Sequence, residues 1–429
     1  MTFPKHAPKA VIILGLTSLI LSGCDNTDDG SVSSYKTTNI PFLSVALTND
    51  LPLERRNELV TLSAQKIRAH APDFNFKAFK VMLGTQEVPS QVGDNDNDGI
   101  ADQILFTTDF KASEHQNITI TYAPMGEWTT NYPKRTQAEL SIRVGGDRVN
   151  GIFDGGKFQN ITAQVHPKGH TPGDKQFRYE GPGWESDKVA YRLYFDHRNT
   201  IDIFGKKVPD MVLQNVGHED YSYHKEADWG LDILKVNDSL GMGSPGMWLD
   251  GKAHRISTAD DMAVTIAENG NIRSQVRVDH TGWKIAHGSH DVKSTLSIHA
   301  GSRMTHNLIY ITNDPKNLVA GIVKHHPTED LTSDASGQGW GYIATFGAQS
   351  YIHDNLGMAI LYKKSDLIEV TQDDVNRLVV LKPNHGSLEY YFLAAWQKEP
   401  GGIQTKEEFH RYLEESIQRL GSPIQITYN

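Results

Sequence analysis

Alternation of period two, broken by Gly, Asn and Asp, runs through most of this 429-residue chain. KVAYRLYFD, SQVRVDH, STLSIHAG and THNLIYITN all carry it, and side chains two apart lie on one face of a strand. RLVVLKPNHGSLEYYFLAAW reads as two strands folded into a hairpin by a turn at Asn384-His385-Gly386-Ser387. A chain patterned this way buries one face of each strand and is expected to be mostly β, built from antiparallel sheets. One helix interrupts the pattern. Thr405 and Glu408 have the spacing of a capping box, Phe409, Leu413, Ile417 and Leu420 recur at helical spacing, and Gly421 stops the run. Its apolar stripe is expected to cover a sheet face.

About 400 residues exceed what one small core organises, so two domains of unequal size are expected. Residues 36–125, which end in the strand-like NITITYAP, are predicted to form a small β-sandwich. Gly126 to Pro133 reads as a connection, and residues 134–429 as one large antiparallel domain.

The first residues limit the compartment. Lys5 and Lys9 precede an apolar run from Ala10 to Leu21, shorter than the roughly 20 residues a membrane-spanning helix needs, and the pattern is that of a signal peptide. Leu21-Ser22-Gly23-Cys24 resembles the lipobox of bacterial lipoproteins. That resemblance implies a leader at 1–24, lipid on Cys24 and a protein that faces the periplasm. Asp25 resembles the signal that holds such proteins at the inner membrane, and residues 25–35 read as a flexible tether. Cys24 is the only cysteine, so the domains have no disulfide, no thiolate metal site and no cysteine nucleophile. With no second apolar span, lipid is the expected membrane anchor. A formal charge of −10 argues against a nucleic-acid partner, because phosphate binding needs a concentrated basic face.

Several motifs carry chemistry. In VGDNDNDGIADQILF, Asp94, Asp96, Asp98 and Gly99 match the opening of a calcium loop, and Asp102 offers a further carboxylate; the glutamate that closes a full loop is missing. A structural calcium ion and a solvated acidic hairpin are both open there. In the strand at 189–196, Val189, Tyr191, Leu193 and Phe195 share the core face, while Ala190, Arg192, Tyr194 and Asp196 share the other. Arg192 is then either a fork for a carboxylate or sulfate, or the partner of Asp196 on a solvated face. GHEDYSYHKEADWG collects Tyr223, His224, Lys225, Glu226, Asp228 and Trp229 with little apolar character, which suits a loop or the rim of a site. The pairs His166/His170 and His325/His326 lack zincin spacing and a third clear ligand. Trp184, Trp340 and Trp396 are sugar platforms by type, or core. No nucleophile elbow, P-loop or dinucleotide fingerprint is present, which removes lipase, NTPase and NAD-dependent readings.

GPGWESDKVAYRLYFDHRNTIDIFGKK, YHKEADWGLDILKV and SLGMGSPGMW together resemble a family of secreted bacterial proteins described only as a domain of unknown function, which includes ulvan oligosaccharide dehydratases. The resemblance runs over the whole mature chain and implies a larger domain similar to the galactose-mutarotase-like supersandwich. It also implies a carbon–oxygen lyase that removes water from uronic-acid-terminated oligosaccharides and leaves a 4,5-unsaturated uronate. Such a reaction needs donors on the uronate carboxylate, a base for the C5 proton and an acid for the departing 4-hydroxyl; no cofactor is required. Arg192 with Lys225 is assigned to the carboxylate, His224 to the base oriented by Asp228, and Tyr223 or Tyr194 to the acid. Trp184, Glu185, Trp229, His326 and Trp340 are assigned to the sugar. Two alternatives stand: a glycoside hydrolase on the same scaffold using Glu185 with Glu226 or Asp228, and a non-catalytic glycan-binding lipoprotein.

Overall fold

A strand with one apolar face is stable only when a second layer covers that face. In the computed structural model, which describes residues 40–96, 98–218, 222–334 and 339–429, sheet stacks on sheet to do this. Cys24, the leader and the tether lie outside the described residues, as do Glu219, Asp220 and Tyr221.

Among the described residues, the large part of the chain forms three antiparallel sheets of nine, six and five strands and a two-stranded ribbon, Asp147–Val149 with Ile152–Asp154. The nine-stranded sheet lays one face on the other two, and a single core fills the gap. Val276, Leu296, Ile309 and Phe392 meet Trp184, Tyr191 and Ile203 from the six-stranded sheet, and Met242, Ile322 and Val379 from the five-stranded sheet. The protein is mostly β, and this stacking is a supersandwich. The helix Lys406–Gly421 covers the opposite face of the nine-stranded sheet, where Phe409 and Leu413 pack on Tyr342, Ala359, Leu361 and Leu393. Its capping box is formed: Glu408 N donates to Thr405 Oγ1 at 3.2 Å, and Thr405 N donates to Glu408 Oε2 at 3.4 Å. No helix among the described residues is long and apolar enough to cross a membrane.

The expected hairpin at Asn384–Ser387 is not a hairpin. Asn376–Leu381 pairs with Leu318–Val323 and Leu367–Gln372 in the five-stranded sheet, whereas Ser387–Trp396 pairs with Met304–Ile311 and Leu356–Lys363 in the nine-stranded sheet. The turn carries the chain from one layer to the other. Val379 and Leu381 on one side, and Leu388, Tyr390 and Phe392 on the other, then enter the same core. Pro383 lies between the two strands and has no N–H with which to extend a ladder.

Residues 42–122 form the small sandwich, with Val45, Leu47, Ile118 and Ile120 of one sheet facing Val60, Leu62, Ile104 and Phe106 of the other. A seven-residue helix, Ala64–His70, is capped by Ser63 and buries Ala64 and Ile67; it is too short to show a helical repeat in sequence. The last strand, Gln425–Tyr428, pairs with Phe42–Thr48, which places the end of the chain in the small sandwich and not in the large domain to which the sequence assigns it. Arg55, fully buried, donates to the Ser422 carbonyl at 2.5 Å and so ties the returning segment to the sandwich. Removing residues 422–429 exposes part of this core and leaves Arg55 short of an acceptor. The expected cost is about 2–4 kcal/mol, read as a lower urea midpoint.

His280 lies in the main core, 3% exposed, and neither ring nitrogen has a partner among the described residues. Burial pushes its pKa from 6.5 down to about 4. The folded state therefore favours the neutral ring, and the unfolded chain takes up the proton first. Stability should fall as pH drops from 6.5 toward 4, by up to about 3 kcal/mol for this group. His280→Leu should remove that part of the acid sensitivity in denaturation curves measured across the same window.

Candidate functional site

The six-stranded sheet has an apolar face and a charged one, and both are buried. Its pairing sets Glu139, Gly183, Arg192 and Asp202 side by side on four neighbouring strands, and sets Asp232 beside Phe204. Trp184, Tyr191, Leu193 and Ile203 point to the main core. Glu139, Glu185, Arg192, Asp202, Lys206 and Asp232 are each no more than 2% exposed. The segment after Lys207 returns over this charged face, where Leu213, Val216 and Tyr223 pack with Tyr179, Ala190 and Phe204, and Trp229 packs at the margin.

Charges taken out of water this way persist only when paired and hydrogen-bonded. Glu139 accepts from Arg178 and from the Tyr179 hydroxyl. Lys206 donates to Glu185 Oε2 at 2.7 Å and to the Ser186 carbonyl at 2.6 Å, while Glu185 also takes the amides of Val212 and Leu213. Arg192 is the centre. Its Nη2 donates to Asp202 Oδ2 at 2.7 Å, to Asp232 Oδ2 at 2.5 Å and to the Tyr194 hydroxyl at 2.7 Å. Nη1 donates to the Tyr179 carbonyl and to the Tyr223 hydroxyl, each at 3.2 Å. Burial and the neighbouring Asp232 charge push the Asp202 pKa up to about 6, with Arg192 acting against them.

These contacts correct several assignments. Arg192 has its fork taken up by its own sheet and is not open to a substrate carboxylate. Nor does it pair with Asp196, which takes Arg198 instead at 2.5 Å. Tyr194 is buried and donates to Asp202 at 2.8 Å, so it is part of the support and not the acid. Trp184 is a core residue, 0% exposed, whose indole N–H donates to Thr305 Oγ1 at 2.9 Å. Glu185 is buried under the loop, so neither sugar binding nor the two-carboxylate hydrolase suits it. Arg192, Tyr194 and Glu185 lie on the face that the returning loop closes, and Trp184 lies on the other face, which the nine-stranded sheet covers.

His224 is where the network reaches the surface. It ends the single 3-10 turn Ser222–His224, so Tyr223 and His224 are not on a regular strand and need not point to opposite sides. Their ring centres lie 4.6 Å apart. Tyr223 is buried and bonded to Arg192, whereas the His224 side chain is 52% exposed with Nε2 3.4 Å from Asp232 Oδ2. The carboxylate beside His224 is thus Asp232 and not the exposed Asp228. Burial raises the Tyr223 pKa, with Arg192 partly offsetting it. Around His224 stand the exposed Tyr351, with its ring centre 6.1 Å away, and Lys235, whose ammonium sits 4.8 Å from the Tyr351 ring. Lys225 is exposed, and Glu226 pairs with Lys207 and Lys398.

Asp202, Asp232, Tyr351 and Lys235 were missed in sequence. Asp202 in TIDIFG and Asp232 in GLDIL had a usable signal, a lone carboxylate inside an otherwise apolar strand. The remaining sugar candidates sit elsewhere. Trp340 starts a strand of the nine-stranded sheet and packs on Tyr391 and Lys363, beside the His306–Glu389 pair. His306 above all, with Lys363, holds the Glu389 carboxyl at about 2 against the effect of burial. His326 is exposed beyond the strand Leu318–Val323 of the five-stranded sheet. In the small sandwich, carboxylate oxygens of Asp94, Asp96 and Asp102 lie within 4.8 Å of one another, a spacing that suits one hard cation, and Asp98 stands outside that trio.

An uncharacterized protein, P7, of Formosa agariphila is 22% identical over 409 residues, which covers 89% of this chain and 92% of that one. Two solved structures from Enterococcus faecalis, an alpha-mannosidase and a protein in the Glycosyl Hydrolase Family 38, superpose with a TM-score of 0.43 and 9% identity each. Each match covers 90% of this chain, which spans 46% and 47% of theirs, about half their length. A family model matches residues 47–426, and the chain belongs to the family described as Domain of unknown function (DUF4861).

Proposed function

We propose that the protein is a carbohydrate-active lyase that removes water from uronic-acid-terminated oligosaccharides, with His224 as the base. The observation that carries this is the half-exposed imidazole of His224 set 3.4 Å from a buried carboxylate, Asp232, which Arg192 holds in place. An imidazole oriented by a fixed carboxylate is a recurrent arrangement for taking a proton. The substrate class follows from the motif resemblance described above and from the exposed cations Lys235 and Lys225 near this base.

The steps balance on this chain's own groups and solvent. Lys235 and Lys225 hold the uronate carboxylate and favour the negative charge that develops as the C5–H bond breaks. His224 takes that proton, the electron pair forms the C4–C5 double bond, and the C4–O bond breaks. The leaving hydroxyl takes a proton from solvent at the open rim and departs as water, since Tyr223, assigned as the acid in sequence, is buried and held by Arg192 and so supports His224 without touching the sugar. Proton exchange with solvent then restores His224. Tyr351 and Trp229 flank the sugar. On the same proposal, lipid on Cys24 anchors the chain and the site faces the periplasm.

The test is a screen of the purified protein on saturated uronate-ended oligosaccharides from ulvan and pectin. New far-ultraviolet absorbance, with loss of one water and unchanged chain length, is the expected outcome. His224→Ala should lower the rate by about 10²–10⁴-fold while binding persists. Binding without reaction in the unaltered protein, or full activity in His224→Ala, would sink the proposal. Arg192→Ala should cost about 3–5 kcal/mol of stability in urea melts, because it leaves Asp202 and Asp232 buried without their cation.

A further inference from the structure

His170 presents an unanswered lone pair. Its side chain is 2% exposed, and Nδ1 lies 2.9 Å from Asp174 Oδ2. Asp174 also accepts the amides of Thr171 and Gln176 and lies 3.5 Å from Arg148 Nη2, so it serves as an acceptor and the Nδ1 proton points to it. Nε2 is then the bare nitrogen, and it is buried with no partner among the described residues. A carboxylate that fixes the far nitrogen of a histidine is the usual outer support of a metal ligand.

His166 faces this nitrogen's ring. The two ring centres are 5.3 Å apart with planes at 63°. Two imidazoles bound to one tetrahedral ion at zinc–nitrogen distances of about 2.0–2.1 Å have centres about 5 Å apart, so no large movement is needed. Phe177 and Phe195 wall the pair on the inner side, at 5.1 Å from His170 and 5.5 Å from His166. His197 is exposed on the turn that begins at Phe195, whose ring packs on His166. Spacing along the sequence did not show this third histidine; the fold brings it there.

We infer that His170 and His166, completed by His197, form a site for a divalent transition ion of the zinc type, with water in the remaining position. The site is separate from the proposed elimination chemistry, and its test does not depend on activity.

The experiment uses the purified full chain, stripped with a chelator and titrated with zinc by calorimetry, with elemental analysis of the dialysed product. One zinc per chain and a zinc-dependent rise in melting temperature are expected. His170→Ala strands Asp174 in the core, so His166→Ala and His197→Ala, which change more accessible rings, carry the comparison. Each should weaken zinc binding by roughly tenfold or more and abolish the rise in melting temperature. Asp96→Asn should leave zinc binding unchanged. No uptake in the unaltered chain overturns the proposal, as does uptake that survives both histidine variants or disappears with Asp96→Asn, which would move the ion to the acidic loop.

Discussion

A single guanidinium sharing two carboxylates holds the charged face of the six-stranded sheet in register. Arg192 reaches Asp202 on the next strand and Asp232 on the strand beyond it, all three out of water. In a medium of low polarity the arrangement, when intact, locks three strands and two tyrosines; broken, it leaves two buried carboxylates without the guanidinium that neutralises them. Burial first, and then the neighbouring Asp232 charge, raise the Asp202 pKa. The same clamp fixes the angle at which Asp232 meets His224.

The sheet therefore works as a partition. Its inner face is ordinary core, where Trp184 and Tyr191 pack against the nine-stranded sheet. Its outer face is a polar layer sealed by an apolar lid, in which Leu213, Val216 and Tyr223 exclude water while Glu139, Glu185 and Arg192 find partners beneath them. At the rim of that lid His224 leaves the dry layer and meets solvent beside Asp232. Exposure and orientation are supplied by different parts of the chain, the first by the turn at 222–224 and the second by the strands.

Much of the architecture was legible in sequence. Period-two alternation announced strands, the Thr405/Glu408 pair and the stripe from Phe409 announced the helix, and Val189, Tyr191, Leu193 and Phe195 were correctly assigned to the core, although the strand itself ends at Leu193. Layer membership was not legible. The turn at Asn384–Ser387 looks the same whether its strands pair with each other or climb from one sheet to another, because turn chemistry specifies a reversal and not a plane. His224 and Tyr223 stood out by composition, but their neighbours came from distant segments.

The sequence by itself determined that the chain is mostly β, where its apolar faces lie and which segment is rich in groups able to move protons, since these are properties of spacing along one strand or one loop. Only the tertiary structure decided which of those groups face water. Arg192, Glu185 and Trp184 read as ligand contacts until the returning loop and the opposed sheet covered them, and burial depends on what packs above a residue from elsewhere in the chain. The partners Asp202 and Asp232 have the same origin. Electrostatic roles are set by distances of a few ångströms in space, and strand pairing, not sequence separation, sets those distances.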